Sequence, residues 1–326
     1  MLLTRLEVKN FRCHKERALE IELNITKIIG ANGSGKTSLI EALYIALTGT
    51  SWRATDREIV QNGKSEYRIE VWNNELGGVV VGYNERKTFV INGKKYGRLP
   101  REYKWPVVLF DPRDMNLIFA SPSRRREYFD GVISNGLVGY KSIVSKYEKA
   151  LRQRNEVLKM EYVSARDVFS WDVLLAKYGL EMIKRRVDYI KMLNGLIRDK
   201  YQSIAGKDDK LAVMYDGMAE MDESKYLAIL ASGFDRDRMT GWTNYGPHRD
   251  SFEFLFGDGV AEMKASRGEI RSMVLAMKFI EAGWLEEATG KRPVVLLDDV
   301  FSELDETRQK KLVTNFKNHQ IILSGV

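Results

Sequence analysis

The sequence predicts an α/β core that is built around a nucleotide site and split by a helical insertion. Three features predict it. A glycine-rich run, Gly30-Ala31-Asn32-Gly33-Ser34-Gly35-Lys36-Thr37, stands between a strand-like and a helix-like segment. Residues 123–246 contain no proline, and their apolar residues recur at helical spacing. Near the other end, four apolar residues, Val294–Leu297, run straight into Asp298-Asp299.

Taken in order, Leu2–Val8, Ala18–Leu23 and Ile25–Ile29 read as short strands, followed by the glycine-rich turn and a helical pattern over Ser38–Leu47. Strand-like runs continue to about residue 110, among them Tyr67–Trp72, Val79–Tyr83 and Val107–Phe110. The proline-free stretch then carries two helical series. One runs from Phe129 to Leu158 and the other from Val168 to Ile204, with Ser164 or Asp167 placed to cap the second. Two helices of ~37 residues, each about 55 Å long, make an antiparallel arm, with Gly131, Gly136 and Gly139 able to bend its first limb. Short strands near 211–216 and 252–256, a helix near 269–288, the strand Val294–Leu297, a helix near 305–317 and the strand Ile321–Leu323 complete the chain. The expected division is an α/β core at 1–120, an arm at 121–240 and the rest of the core at 241–326.

Composition bounds the function. At 44% hydrophobic and 30% charged, wholesale disorder is excluded. No apolar run approaches the roughly 20 residues of a membrane span. The N-terminus meets charge too early for a secretory signal. A single cysteine, Cys13, excludes an intrachain disulfide framework and a multi-cysteine zinc site. A cytoplasmic location is the expectation. Residues 121–200 carry 17 Lys and Arg against 10 Asp and Glu, which accounts for the whole net charge of +7. That bias reads either as a nucleic-acid footprint or as a solvated basic hairpin.

Gly30–Thr37 matches the phosphate-binding pattern G-x-x-x-x-G-K-[ST]. Its glycines let backbone N–H groups curl around phosphates at a helix N-terminus, with Ser38 in the same cradle. Lys36 would reach the β- and γ-phosphate oxygens of ATP, and the Thr37 hydroxyl would ligate Mg²⁺. Asp298, at the end of a buried strand, is placed to hold Mg²⁺, and Asp299 to orient or activate the attacking water. A third element, Ser266-Arg267-Gly268-Glu269, opens a helix. It is either an anion site of hydroxyl, N–H groups and dipole, or a simple N-cap at Ser266.

These three elements in this order, around a helical insertion, resemble ATP-binding-cassette (ABC) heads of the SMC type. The likeness to the RecF family of bacterial recombination mediators is closer and runs from end to end. It rests on Asn10-Phe11-Arg12, the glycine-rich loop, Leu109–Asp114, Ser121–Arg126 with Asp130, Gly246-Pro247-His248-Arg249-Asp250, Ser266–Glu269 and Asp298–Asp305. The resemblance implies an ABC-type P-loop ATPase head with an inserted arm, a DNA-binding protein that forms a homodimer on ATP. In that dimer Ser266 and Gly268 of one subunit would face the nucleotide held by Gly30–Thr37, Asp298 and Asp299 of the other. Ser302–Asp305 would touch the partner's nucleotide, and Arg12 would lie near its own. It further implies work with RecO and RecR in directing RecA onto gapped DNA during repair, replication and the SOS response to damage, without sequence-specific readout.

Some positions depart from the wider cassette pattern. Asp stands at 299 where many such ATPases have Glu, which suggests weak ATPase activity acting as a switch. No Gln occupies the loop near 110–114, so its metal-sensing role falls, if anywhere, to Asp114. The last strand leads to Ser324-Gly325 rather than a histidine, and His319 reads as a surface residue. The chain ends just after this strand, so the family's C-terminal tail is expected to be short or missing. His248 reads as structural, and Cys13 beside His14 as inert. Arg124–Arg126 and Lys184–Arg186 are candidates for phosphate contacts, for pairing with carboxylates or for contact with partner proteins. Two alternatives stay open: an SMC-like head of another DNA-processing system, and the nucleotide-binding subunit of a transporter.

Overall fold

The structure is a computed structural model that describes residues 1–75, 77–217, 221–301 and 304–325. Along the chain come β1 (Leu3–Phe11), β2 (His14–Glu20), β3 (Ile25–Ile29), α1 (Lys36–Thr48), α2 (Asp56–Ile59), β4 (Glu66–Asn73), β5 (Gly77–Asn84), β6 (Arg86–Ile91), β7 (Lys94–Tyr96) and β8 (Val107–Phe110). Next are α3 (Pro122–Gly136), α4 (Tyr140–Leu158), α5 (Ala165–Ala205), β9 (Leu211–Asp216), α6 (Glu223–Ser232), α7 (Phe234–Thr240), β10 (Ser251–Phe256), β11 (Gly259–Val260) and α8 (Ala261–Lys264). The chain finishes with α9 (Arg267–Thr289), β12 (Val294–Leu297), α10 (Glu306–Asn315) and β13 (Ile321–Gly325). Among the described residues no helix is long and apolar enough to cross a membrane.

The described residues form two compact units, 1–115 with 274–326, and 116–273. The first holds two sheets. An antiparallel sheet runs β2-β1-β4-β5-β6-β7, and a parallel one runs β3-β13-β12-β8. The parallel strand β12 is Val-Val-Leu-Leu with every residue buried, as expected of a strand covered on both faces. Helix α1 is buried along almost its whole length. Its Leu39, Ile40, Leu43 and Ile45 join Leu6, Val8, Phe11, Ile69 and Val81 of the antiparallel sheet in one apolar core. At about 25 cal/mol per Å2 of apolar area, this burial is what holds α1 in place, because propensity alone would not.

Strand β2 begins at His14, four residues before the expected start at Ala18. The register pairs Phe11 with His14, so a tight turn at Arg12-Cys13 folds the strand straight back. Its sequence, HKERALE, is nearly all solvent-facing, and an edge strand of this kind leaves no apolar alternation to read.

In the second unit the arm differs from two equal helices. Its first limb is broken into α3 and α4 at Leu137–Gly139, where Gly139 takes φ 86°, a left-handed conformation that glycine adopts at no cost. Its second limb, α5, runs unbroken for 41 residues. Ser164 and Asp167 act together at its start: the Asp167 carboxylate accepts from the Ser164 N–H at 2.8 Å and from its hydroxyl at 2.7 Å. Strands β9, β10 and β11 form a separate three-stranded sheet in this unit. Residues 241–273 therefore cluster with 116–240, where the sequence pattern groups them with the core. Arg125 and Arg126 help to fix this, donating to the carbonyls of Phe252 at 2.8 Å and Asp250 at 2.6 Å.

Candidate nucleotide site

Strand β3 delivers the chain to the glycine-rich loop, and α1 leaves it. Gly33 and Gly35 take φ 81° and 90°, backbone conformations that cost an L side chain 1 kcal/mol or so. Gly35 has a second constraint, because an added Cβ would collide with Cys13 and His14. The His14 ring nitrogen lies 3.1 Å from the Gly35 carbonyl. Cys13 and His14, chemically inert by the sequence pattern, thus prop the loop from outside.

Within the loop, the Lys36 ammonium donates to the carbonyls of Gly30 at 2.7 Å and Ala31 at 3.2 Å. The Ser34 N–H donates to Ala31 at 3.1 Å and the Ser38 N–H to Gly35 at 2.9 Å. Asp298 comes from the end of β12, two strands away from β3 in the sheet. Its Oδ1 accepts from Thr37 Oγ1 at 2.8 Å and from Ser324 Oγ at 3.0 Å. Burial raises the Asp298 carboxyl above the usual carboxylate range, against the pull of the Thr37 and Ser324 hydrogen bonds. The Ser324 hydroxyl also accepts from the Asp299 N–H at 2.8 Å, holding Asp299 at φ 51°. The two carboxylates are therefore set by one serine from β13.

A cavity of about 690 Å3 opens over this loop, lined by Lys36, Thr37, Asp299, Arg12 and Arg53 among others. Arg12 and Arg53 converge on Glu41 of α1, which is fully buried. Arg12 makes a two-point pair with it, Nε and Nη2 each at 2.9 Å. Arg53 Nη2 lies at 2.8 Å and Ser51 Oγ at 2.6 Å. Burial opposes ionisation of Glu41, but the hydrogen bonds from Arg12, Arg53 and Ser51 outweigh it and hold the carboxyl below its ordinary range. Two guanidinium groups are thereby fixed at the cavity wall. No sequence motif singles out Arg53. The available signal is Glu41, one acid in the apolar helix Ser-Leu-Ile-Glu-Ala-Leu, which must find cations once buried.

Gly30–Ser38, Arg12, Asp298 and Asp299 thus come together in one unit. Ser266 and Gly268 belong to the other. The Ser266 hydroxyl and N–H both donate to Glu269 Oε2 at 2.8 Å, and the Glu269 N–H lies 3.4 Å from the hydroxyl, a reciprocal N-cap. Asp305 caps α10, accepting from the Arg308 N–H at 2.9 Å, while Ser302 and Glu303 lie outside the described residues.

Two expectations are corrected, and one alternative left open by the sequence is decided in part. Asp114 is buried and committed to Lys278 Nζ at 3.1 Å and the Asp111 N–H at 3.1 Å, which leaves it facing a lysine rather than a metal. His319 is not a surface residue: its side chain packs edge-on to Phe316 at 5.3 Å, and burial lowers its pKa. The basic clusters are partly internal. Arg125 and Arg186 are buried, and Arg186 pairs with Asp130 at 2.7 and 2.9 Å and donates to the Pro247 carbonyl at 2.7 Å. His248 is structural as expected, with Nε2 donating to the Thr243 carbonyl at 3.0 Å and Nδ1 accepting from Tyr147 at 2.7 Å.

The loop, the paired strand-end carboxylates and the parallel sheet define an ABC-type P-loop ATPase head. Residues 5–170 match the family model described as an AAA domain. The chain is 31% identical to the DNA replication and repair protein RecF of Ruminiclostridium cellulolyticum, over 99% of this chain and 92% of that one. To the RecF of Halalkalibacterium halodurans it is 34% identical, over 96% and 89%. It superposes on the solved recombination mediator protein RecF-ATP of the RecFOR pathway with TM-score 0.88 at 29% identity, covering 100% of this chain and 92% of that one. An Smc head bound to the C-terminal winged-helix domain of ScpA shares the fold, with TM-score 0.55 at 17% identity, over 100% of this chain and 90% of that one. The chain belongs to the RecF family of DNA replication and repair proteins.

Proposed function

We propose that this chain is an ATP-gated DNA-binding protein of recombinational repair. In this reading it dimerises when Mg-ATP binds and acts with RecO- and RecR-type partners to help load a RecA-type recombinase at gapped DNA. The observation that carries the nucleotide part is the Thr37–Asp298 hydrogen bond, which joins residues 261 positions apart at the mouth of the glycine-rich loop.

The residues fit Mg-ATP. The loop amides and the N-terminus of α1 would take the phosphates, and Lys36 would exchange its two carbonyl partners for phosphate oxygens. Thr37 and Asp298 would hold the cation, which when bound would neutralise charge on the β- and γ-phosphates. Arg12 and Arg53, positioned by Glu41, add positive potential along the cavity wall. Asp299 would orient water at the γ-phosphate. Its short side chain and a single carboxylate suit slow turnover, a timer rather than a motor.

Dimerisation follows from the charge of the ligand. A γ-phosphate bound by one subunit presents anionic oxygens, and a second copy's α9 offers Ser266, the amides near Gly268 and a helix dipole to meet them. Hydrolysis removes that bridge. Without nucleotide the Ser266 hydroxyl donates to Glu269, so to meet a γ-phosphate oxygen it would exchange that acceptor, as Lys36 would exchange its carbonyls. The test is the mass in solution with and without Mg-ATP and short gapped duplex, for the native chain and for Lys36→Ala. ATP-dependent dimers that bind DNA more tightly, absent in the variant, are expected. A nucleotide-bound monomer indifferent to DNA would refute the reading.

A further inference from the structure

Helix α5 carries Arg166, Lys177, Lys184, Lys191 and Arg198. At 3.6 residues per turn these five fall within about 60° of arc, on the side of the helix opposite its buried residues Gly179, Arg186, Ile190 and Ile197. From first to last they span about 48 Å at 1.5 Å per residue. All five are exposed. Arg198 is held by Asp208 at 2.7 Å, whereas Arg166, Lys177, Lys184 and Lys191 have no ion pair among the described residues. The buried arginines of the arm, Arg125, Arg154 and Arg186, are consumed by internal pairing. The ridge is therefore one of two places where the unneutralised part of the basic surplus reaches solvent, the other being Lys141, Lys146, Lys149 and Arg152 of α4.

The geometry points to this ridge of α5 as a tracking surface for the sugar-phosphate backbone of duplex DNA, an assignment that rests on the DNA-binding reading above. Three features select that occupant. The cations form a line of the length of about 14 base pairs, at 3.4 Å each, rather than a pocket for one small anion. The arc contains no aromatic side chain, its other members being Val173, Leu180, Gly195 and Gln202; exposed Phe169 borders it at one end, a single ring rather than the row of platforms that single strands use. Lysine dominates, a point charge suited to sequence-independent phosphate contact. Acidic groups set a boundary: Asp188 and Asp199 border the arc, and Glu181 is engaged by Arg185 at 2.7 Å.

The test is fluorescence anisotropy of the full chain on a duplex of about 30 base pairs with Mg-ATP, titrated between roughly 50 and 200 mM salt. It compares the native chain with the triple variant Lys177→Gln, Lys184→Gln, Lys191→Gln. The sites are exposed, and unchanged helical circular dichroism reports that the variant is folded. The expected result is binding weakened at least about tenfold, with the slope of log K against log salt shallower by about 2–3, close to 0.9 for each phosphate no longer neutralised. A control neutralising Lys64, Lys94 and Lys95 should keep most of the affinity. A native chain that binds while the triple variant binds equally overturns the ridge alone, as does an equal loss in the control. A native chain that binds no duplex at low salt overturns the DNA-binding reading with it.

Discussion

Thr37 donates its hydroxyl hydrogen to Asp298 Oδ1 at 2.8 Å, across 261 residues of sequence. The hydroxyl is the second residue of α1 and the carboxylate follows β12, so the bond exists only when the parallel sheet has formed. Folding of the core and assembly of the cation site are one event.

Asp298→Asn tests this arrangement. The amide keeps size and can still accept from Thr37, but it removes the anionic ligand. Binding of Mg-ATP should weaken at least about tenfold, or 1.4 kcal/mol, while nucleotide binding measured in chelator changes little. Equal loss with and without Mg²⁺ would show that the carboxylate supports the loop rather than a cation.

Ser324→Ala removes the acceptor of the Asp299 N–H and a donor to Asp298. Ser324 is fully buried, so losing its hydroxyl and the hydrogen bonds it makes should destabilise the chain by about 1–3 kcal/mol. Denaturant unfolding measures this. ATPase turnover should fall more than nucleotide affinity, because Asp299 loses its anchor.

Glu41→Gln leaves Arg12 and Arg53 facing a neutral amide inside the core. Both arginines are partly exposed and can be rehydrated, so the loss should be about 1–3 kcal/mol. A drop in thermal midpoint of several degrees is expected. Arg53→Ala should lower nucleotide affinity with a much smaller loss of stability, since its side chain is partly exposed.

His248 gives a pH dependence. Burial pushes its pKa down to about 4 from the usual value near 6.5, with Nδ1 already accepting from Tyr147. The unfolded chain then binds a proton that the folded chain refuses. Stability should therefore be highest above pH 6.5 and fall as pH drops towards 4, by up to about 3 kcal/mol from this group. Comparing pH-dependent unfolding of the native chain with His248→Gln measures it; the variant should lose this slope.

Much of this is legible from the residues. The glycine loop between strand and helix, the apolar strand into Asp298-Asp299 and the proline-free arm each carry a local pattern that packing reinforces. What escapes is tertiary. Arg53 has no motif and gains its role only because α1 turns Glu41 inward. Strand β2 is polar from His14 to Arg17, so periodicity does not place its start. His319 sits beside a strand end like any surface residue until Phe316 covers it. For Arg125 and Arg186 the sequence leaves phosphate contact and carboxylate pairing open, and only packing shows that the carbonyls of Phe252 and Pro247 and the carboxylate of Asp130 claim them.

The central claim is that nucleotide gates assembly. The most direct measurement is the molar mass of the native chain by light scattering, with ADP, with Mg-ATP, and with Mg-ATP for Lys36→Ala. The account predicts a doubling from 37.5 kDa with Mg-ATP alone, and monomers in the other two conditions. A mass that does not respond to ATP, while ATP is shown to bind, would contradict it.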